Sequence, residues 1–288
     1  MSPVKLPMAP SAATEPAAAQ GLRLRYDADV AALSPRLRTA FVRLSRDAGT
    51  EAFLAEAKVG RHAWARTRLH RMLRFFVSDF DANGMLGMYA LHVASTEQWR
   101  TLLGPERIER VLDIGAGSGG VTRRLLPLAE QVITTELSGP MARSLRRMGL
   151  ECHELDITEQ DLPEPRPRFD LVSCLNVLDR TARPHRFLRR VLGLLEPGGR
   201  LLIALALPYR PFFYAGAETP EPLERLACGE PAWEAAVNTL VERELEPLGL
   251  TVERIARAPY LSFGDTERGL YELDDAILVL RKSPPARL

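Results

Sequence analysis

Val111-Leu112-Asp113-Ile114-Gly115-Ala116-Gly117-Ser118-Gly119 decides the fold. A short, mostly apolar run suited to a buried strand breaks into three glycines at alternate positions, and a helical pattern follows from residue 121. Glycine there lets the backbone pass close to a ligand where any Cβ would collide. Strand, glycine turn and helix in that order open a ligand-binding unit of an α/β protein. By itself the pattern equally opens a dinucleotide site or a purely structural tight turn.

Downstream, apolar runs alternate with amphipathic ones. Strands are expected at 131–137, 151–155, 169–175 and 200–207, and helices at 140–148, 184–195 and 233–245. Two last strand candidates lie at 250–255 and 276–280. This alternation predicts a Rossmann-like α/β fold, a mostly parallel seven-stranded sheet with helices on both faces. Upstream, Leu37, Phe41 and Leu44, then Leu69, Met72, Leu73 and Phe76, recur at helical spacing. Asp81-Ala82-Asn83-Gly84 reads as a turn that stops the second run, and Ser95 or Thr96 before Glu97 as a helix start. The expected division is a disordered Ala- and Pro-rich tail at 1–21, an N-terminal helical accessory region at 22–104 and the main domain at 105–288. Residues 208–230, rich in Pro, Gly and aromatics, are too long for a simple connection and form a candidate substrate loop.

Composition narrows the classes. Of 288 residues, 46% are hydrophobic and 26% charged, which excludes a disordered chain and a membrane bundle. No apolar run approaches the ~18 residues of a membrane span, and the N-terminus lacks the apolar core of a secretory signal. A cytoplasmic protein without a membrane partner is expected. The three cysteines form no CxxC pair, so neither a disulfide framework nor a metal site is expected. The five histidines form neither a metal constellation nor a His-x-His segment. The net charge of +1 conceals an arginine-rich stretch at 23–74, read as solvated helix faces rather than a nucleic-acid surface. A monomer is the favoured state.

Two acids sharpen the glycine turn. Asp113 precedes the first glycine, where a carboxylate meets a cationic amine. Glu136 ends the next strand, where a carboxylate accepts hydrogen bonds from both ribose hydroxyls. An acid at the mouth of the turn repels a pyrophosphate but suits S-adenosyl-L-methionine, which carries an amino acid moiety and no phosphate. A methyltransferase is thereby favoured over a dehydrogenase, with Asp113, Gly115, Gly117 and Glu136 in the cofactor set and S-adenosyl-L-homocysteine as product. Asp156, ending the third strand, either bonds the adenine amino group or caps the turn at Ile157-Thr158-Glu159. The fourth strand ends in Ser173-Cys174-Leu175-Asn176-Val177-Leu178-Asp179-Arg180, placing Asn176 and Asp179 at the carboxyl edge of the sheet, where open α/β folds bind ligands. The alternative for Asp179 is a turn cap paired with Arg180. An Asp/Asn-Pro-Pro-aromatic motif is missing from this strand end, which argues against amino-group methylation of adenine or cytosine.

The motifs resemble those of the DREV proteins, also called the methyltransferase-like protein 9 family, which methylate the pros nitrogen of histidine in target proteins. The resemblance runs from Asn83-Gly84-Met85 to Lys282. Leu112-Asp113-Ile114-Gly115-Ala116-Gly117 and Thr135-Glu136-Leu137-Ser138 occur in many methyltransferases. The run from Cys174 through Arg180 and the run Leu273-Asp274-Asp275-Ala276 are far more specific, and Pro259-Tyr260-Leu261 belongs to the same pattern. The resemblance implies that Asp113, Gly115 and Glu136 serve the cofactor while Asn176, Asp179 and Tyr271 face the target imidazole. Asn176 stands in both sets. For Tyr271 an ordinary aromatic core contact is the alternative. The implied partner is a histidine-containing protein or peptide, with Asp179 accepting the tele N–H so that the pros nitrogen attacks. Rival readings are a small-molecule N-methyltransferase acting on an imidazole or amine, and a non-catalytic cofactor-binding or docking protein.

Overall fold

The computed structural model describes residues 24–59, 64–88, 90–164, 167–216, 218–263 and 270–283; the expected tail at 1–21 lies outside them. After a 3-10 turn at Val30–Ala32, the described residues form four helices, α1 (Pro35–Ala40), α2 (Ala48–Val59), α3 (Trp64–Leu73) and α4 (Asp79–Leu86). Strand β1 (Leu91–His92) and helix α5 (Thr96–Leu103) follow. The glycine turn lies between β2 (Ile108–Ile114) and the single-turn helix α6 (Thr122–Leu125). Next come β3 (Ala129–Thr135), α7 (Gly139–Arg147), β4 (Glu151–His153), β5 (Phe169–Leu175), α8 (Pro184–Leu194) and β6 (Leu195–Ala206). Helix α9 (Trp233–Thr239) runs on as a π-helix over Leu240–Leu245 into the long hairpin of β7 (Leu250–Phe263) and β8 (Leu270–Lys282).

These strands form one sheet in the order β1-β7-β8-β6-β5-β2-β3-β4. The five strands from β6 to β4 are mutually parallel, and the β7–β8 hairpin and β1 add antiparallel pairs. The Rossmann-like α/β fold expected from the alternation is present, with eight strands instead of seven. The extra one, β1, is two residues long and leaves no periodicity to read.

Alternation along the strands fills two cores. Leu112, Ile114, Val172, Cys174, Ile203 and Leu278 face α8 and α9, together with Leu33 and Leu37 from the N-terminal segment. Val111, Leu171, Leu202, Ile277 and Val279 face the other way, against Trp99, Leu102 and Leu103 of α5 and against Tyr26 and Leu44. Both cores thus extend across residue 104. Helix α5 starts on a capping box of Ser95 and Gln98, as its sequence suggests.

Asn83-Gly84 is not a turn. Ser78 caps α4 by accepting the Asp81 N–H, Asn83 Nδ2 donates to Asp79 Oδ2 at 2.8 Å, and the helix runs on to Gly87. Gly84 serves packing instead, since an added Cβ would stand 2.9 Å from Met141 Cγ and 3.2 Å from Pro140 Cβ on α7. The missing side chain lets α4 lie directly on α7, beside the carboxyl ends of the strands. Among the described residues no helix is long and apolar enough to cross a membrane.

His92 ties β1 to the helical segment. It is buried, its Nε2 lies 3.2 Å from Thr50 Oγ1 and its ring stacks on Phe53 at 5.2 Å. Burial, and then the charge of Arg124, push its pKa down to about 3, against the opposing pull of Asp47. An unfolded histidine takes up its proton near pH ~6.5, so His92 costs no stability above that value and progressively more as pH falls from there toward about 3. The limiting slope is about 1.4 kcal/mol per pH unit. Thermal melts should therefore show a steeper fall in Tm from about pH 7 to about pH 5 for the wild type than for His92→Phe; parallel slopes would contradict this.

Candidate active site

Strand β2 leads to β3 on one side and its neighbour β5 leads to β6 on the other, so the connections leaving the carboxyl ends of β2 and β5 diverge and open a crevice there. A cavity of about 630 Å³ occupies that crevice, within the range of about 300–1,000 Å³ usual for cofactor sites.

The glycine turn forms one wall. Gly115 and Gly117 adopt φ +69° and +58°, and a Cβ on Gly115 would stand 2.8 Å from Val177 Cγ2. The N–H groups of Gly115 and Ala116 donate to the Thr135 carbonyl at 2.9 and 3.1 Å, and that of Gly119 to the Ala116 carbonyl at 3.0 Å. Gly117 N–H donates to Glu136 Oε2 at 2.7 Å. The amides that would cradle a pyrophosphate are thus already taken by the protein, and α6 behind them is only four residues long. A dinucleotide site does not fit this turn.

Glu136 fastens the turn to the end of β3, its other oxygen accepting the Ser138 N–H at 2.8 Å. Burial raises its pKa against those backbone hydrogen bonds. Each oxygen retains a second lone pair, and the residue lines the cavity. Asp113 lies deeper, where Thr122 and Ser173 hydroxyls donate to its two oxygens at 2.6 and 2.7 Å; burial raises its pKa too. Asp156 Oδ1 accepts the Thr158 N–H at 2.7 Å, the contact of the capping alternative, and the residue also lines the cavity. Carboxylates dominate the lining, with Asp81, Asp113, Glu136, Asp156 and Glu159 set against Arg180 and Arg183. Such a wall favours a ligand bearing sulfonium and ammonium charges and rejects a polyphosphate. The residues present fit S-adenosylmethionine.

Asn176 stands where β5 ends. Its N–H extends the ladder to Ala204 O at 2.8 Å, and its φ of +57° is a left-handed conformation that Asn tolerates better than most residues. Its Nδ2 donates to Asp275 Oδ2 at 2.8 Å. Its Oδ1 is buried and has no hydrogen-bond partner among the described residues, and the residue lines the cavity.

Asp275, on β8, is fully buried and was missed by sequence reasoning. Burial, with Asp179 adding to it, raises its pKa to about 8. The available signal was an acid standing directly before the last apolar run, 276–280, within the family-specific Leu273-Asp274-Asp275-Ala276 stretch. Asp179 is also buried, and burial raises its pKa against the pull of Arg180, whose Nε lies 3.7 Å from Asp179 Oδ2. Arg180 lines the cavity whereas Asp179 does not. Tyr271 is not brought to the cavity: it pairs with Ser262 in the β7–β8 hairpin. Among the described residues two tyrosines line the cavity, Tyr214 and Tyr260; the ring of Tyr260 lies 5.5 Å beneath the Arg180 guanidinium.

A roof completes the site. Ser78, Phe80 and Asp81 come from the helical segment, and Phe213, Tyr214 and Leu223 from the candidate substrate loop. Phe80 and Tyr214 meet edge to face at 5.0 Å, and Arg74 sits 5.0 Å from the same tyrosine ring. Burial pushes the Tyr214 phenol up to about 12. Asp81 Oδ1 accepts the Ser138 hydroxyl at 2.6 Å, anchoring α4 over the cofactor wall. Leu137 and Leu223, both in the lining, remain exposed at the rim.

Residues 26–282 match the family model of the DREV methyltransferases. The ubiquinone biosynthesis O-methyltransferase of Xanthomonas oryzae pv. oryzae (strain PXO99A) is 30% identical over 100 residues, 33% of this chain and 42% of that protein. That of Xanthomonas axonopodis pv. citri (strain 306) is 28% identical over 131 residues, 43% of this chain and 54% of that protein. The chain thus spans about half the length of these curated relatives. Among solved structures, the N-methyltransferase NodS from Bradyrhizobium japonicum WM9 in complex with S-adenosyl-L-homocysteine aligns over 82% of this chain and 99% of its own, at 15% identity and a TM-score of 0.40. TrmN from Thermus thermophilus aligns over 65% of this chain and 48% of its own, at 17% identity and a TM-score of 0.38. Likenesses this distant say nothing about the acceptor.

Glu136→Ala should weaken S-adenosylhomocysteine binding roughly tenfold to a hundredfold, because it removes hydrogen bonds to a charged group worth about 1.5–3 kcal/mol. Isothermal titration calorimetry checks this; unchanged affinity would remove Glu136 from the cofactor set.

Proposed function

The chain belongs to the DREV methyltransferase family, whose methyl donor is S-adenosylmethionine, and on that premise we propose that it methylates histidine in a protein target, at the pros nitrogen of a His-x-His-type segment. The observation that carries this reading is Asn176, a residue of the cofactor cavity's wall at the end of the central strands, whose buried carbonyl oxygen has no partner among the described residues. Bound donor supplies an electrophilic methyl group on a sulfonium. The cofactor set proposed for this chain is Asp113, Gly115, Gly117, Glu136 and Asp156, with Asn176 at the junction with the acceptor.

Asn176 Oδ1 accepts the tele N–H of a neutral imidazole, which keeps the lone pair on the pros nitrogen. Free histidine titrates near ~6.5, so at neutral pH the ring is largely uncharged and the tautomer is what must be held. Asp179 and Asp275 lie behind Asn176 in a buried, low-dielectric setting, where each of them, when ionised, stabilises positive charge developing on the ring more than it would in water. Arg180, packed over Tyr260, limits how much negative charge this corner carries. The exposed apolar rim of Leu137 and Leu223 suits a polypeptide lying across the mouth. Asp179 acts from behind the wall, and Tyr260 takes the place in the pocket that the sequence motif suggested for Tyr271.

A second reading has its own support. The Phe80–Tyr214 contact roofs the cavity, and an enclosed site favours a free imidazole or amine over a peptide.

Methyl-labelled donor offered together with a His-Ala-His peptide and free histidine separates the two. Label on the peptide, identified as pros-methylhistidine by mass spectrometry, is expected; label on free histidine alone would overturn the protein-target reading. Asn176→Ala should reduce transfer by roughly 10²–10³-fold while costing far less in cofactor affinity. Equal losses in the two assays would assign Asn176 to the cofactor alone.

A further inference from the structure

The hydrogen bond between Asn176 and Asp275 joins two side chains ninety-nine residues apart in sequence, and it decides what the cavity wall offers a ligand. A primary amide has one accepting end and one donating end. With Nδ2 turned to Asp275, the end left over is the carbonyl, and it belongs to a residue of the cavity wall. The opposite orientation would present N–H hydrogens and would repel the N–H of an incoming acceptor. What fixes the choice is the protonation of the carboxyl group behind the amide.

We propose that Asp275 is a positioning residue that selects acceptors carrying a nitrogen-bound hydrogen: as a carboxylate it accepts from Asn176 Nδ2 and leaves Oδ1 to the acceptor, and as a neutral acid it donates to Oδ1 and turns Nδ2 toward the cavity. This deepens the reading of a histidine-directed methyltransferase, on which the choice of acceptor rests. The neutral acid has little alternative. Asp275 Oδ1 is buried without a partner among the described residues, and a proton placed there would forfeit a hydrogen bond at about 1–3 kcal/mol. A proton on Oδ2 finds the Asn176 carbonyl once the amide rotates.

The surroundings place this exchange near neutral pH. Asp275 is flanked across the sheet by Ala206 of β6 and Ala258 of β7, which offer it no charge. The charged groups acting on it are Asp179 and Arg180, from the turn after β5, and its neighbour Asp274, which is held by Arg257 of β7. Burial and the two acids raise its pKa to about 8, with the Asn176 hydrogen bond and Arg180 opposing. The productive orientation is therefore populated above about pH 8 and lost below it.

The test is to follow the Asn176 side-chain amide by NMR in protein labelled with ¹⁵N-asparagine, from about pH 6 to about pH 9.5, with Asn176→Ser supplying the assignment. The expected result is one transition near about pH 8 in the wild type that is missing from Asp275→Asn, in which the new amide oxygen still accepts from Nδ2 but does not titrate. An Asn176 amide that does not move across this range, or a transition that persists in Asp275→Asn, overturns the proposal. The wild-type titration decides alone if the variant fails to fold. Methyl transfer to a histidine peptide supplies the second readout: the acid limb of kcat/KM should lie near about 8 in the wild type and move to that of the free imidazole, near ~6.5, in Asp275→Asn. A titrating amide in a protein that leaves the peptide unmethylated would remove the histidine reading and leave this one standing.

Discussion

A parallel sheet in which neighbouring strands send their connections to opposite faces must part at one place, and here that place is the carboxyl end of β2. Everything that handles a ligand is arranged around the gap. The gap is closed below by a hydrogen bond from the glycine turn to Glu136, which joins β2 to β3 and leaves the turn's amides occupied. It is closed on the far side by Asn176, which ends β5 in a left-handed conformation and reaches across β6 to Asp275 on β8. Because the wall is richer in carboxylates than in guanidinium groups, the gap suits a cation.

The roof follows from a different constraint. The helical segment before β2 packs into the sheet domain, whose two cores absorb Leu33, Leu37, Tyr26 and Leu44. That docking lays α4 on α7 through Gly84 and delivers Phe80 and Asp81 to the cavity. Residues 208–230 arrive from the other side, where Phe212 N–H donates to the Asp179 carbonyl and Leu223 N–H to that of Ala182. The turn carrying Asp179 is thereby fixed by the same loop that supplies Tyr214 to the roof.

The parts of this arrangement legible in the sequence are those whose signal is local. The strand, turn and helix around Asp113, the acid ending β3 at Glu136 and the polar end of β5 at Asn176 each lie within a few residues of the apolar run that places them. Asn83-Gly84 misled because the usual meaning of the pair, a tight turn, was overridden by tertiary contact with Met141 and Pro140. Tyr271 and Tyr260 lie on facing strands of one hairpin, and which of them reaches the cavity depends on register along β7 and β8, which a single chain does not spell out. Asp275 belongs to a motif that the sequence did display, yet its partner is ninety-nine residues away. Only the sheet order makes the two neighbours.

The central claim is that one cavity holds both the methyl donor and a nitrogen acceptor, with Asn176 between them. A crystal structure with S-adenosylhomocysteine and a His-Ala-His peptide tests it most directly. The account predicts the cofactor ribose on Glu136 and an imidazole N–H within hydrogen-bonding distance of Asn176 Oδ1, about 2.7–3.2 Å. Peptide bound away from the cavity, or an imidazole in the cavity turned from Asn176, would contradict it.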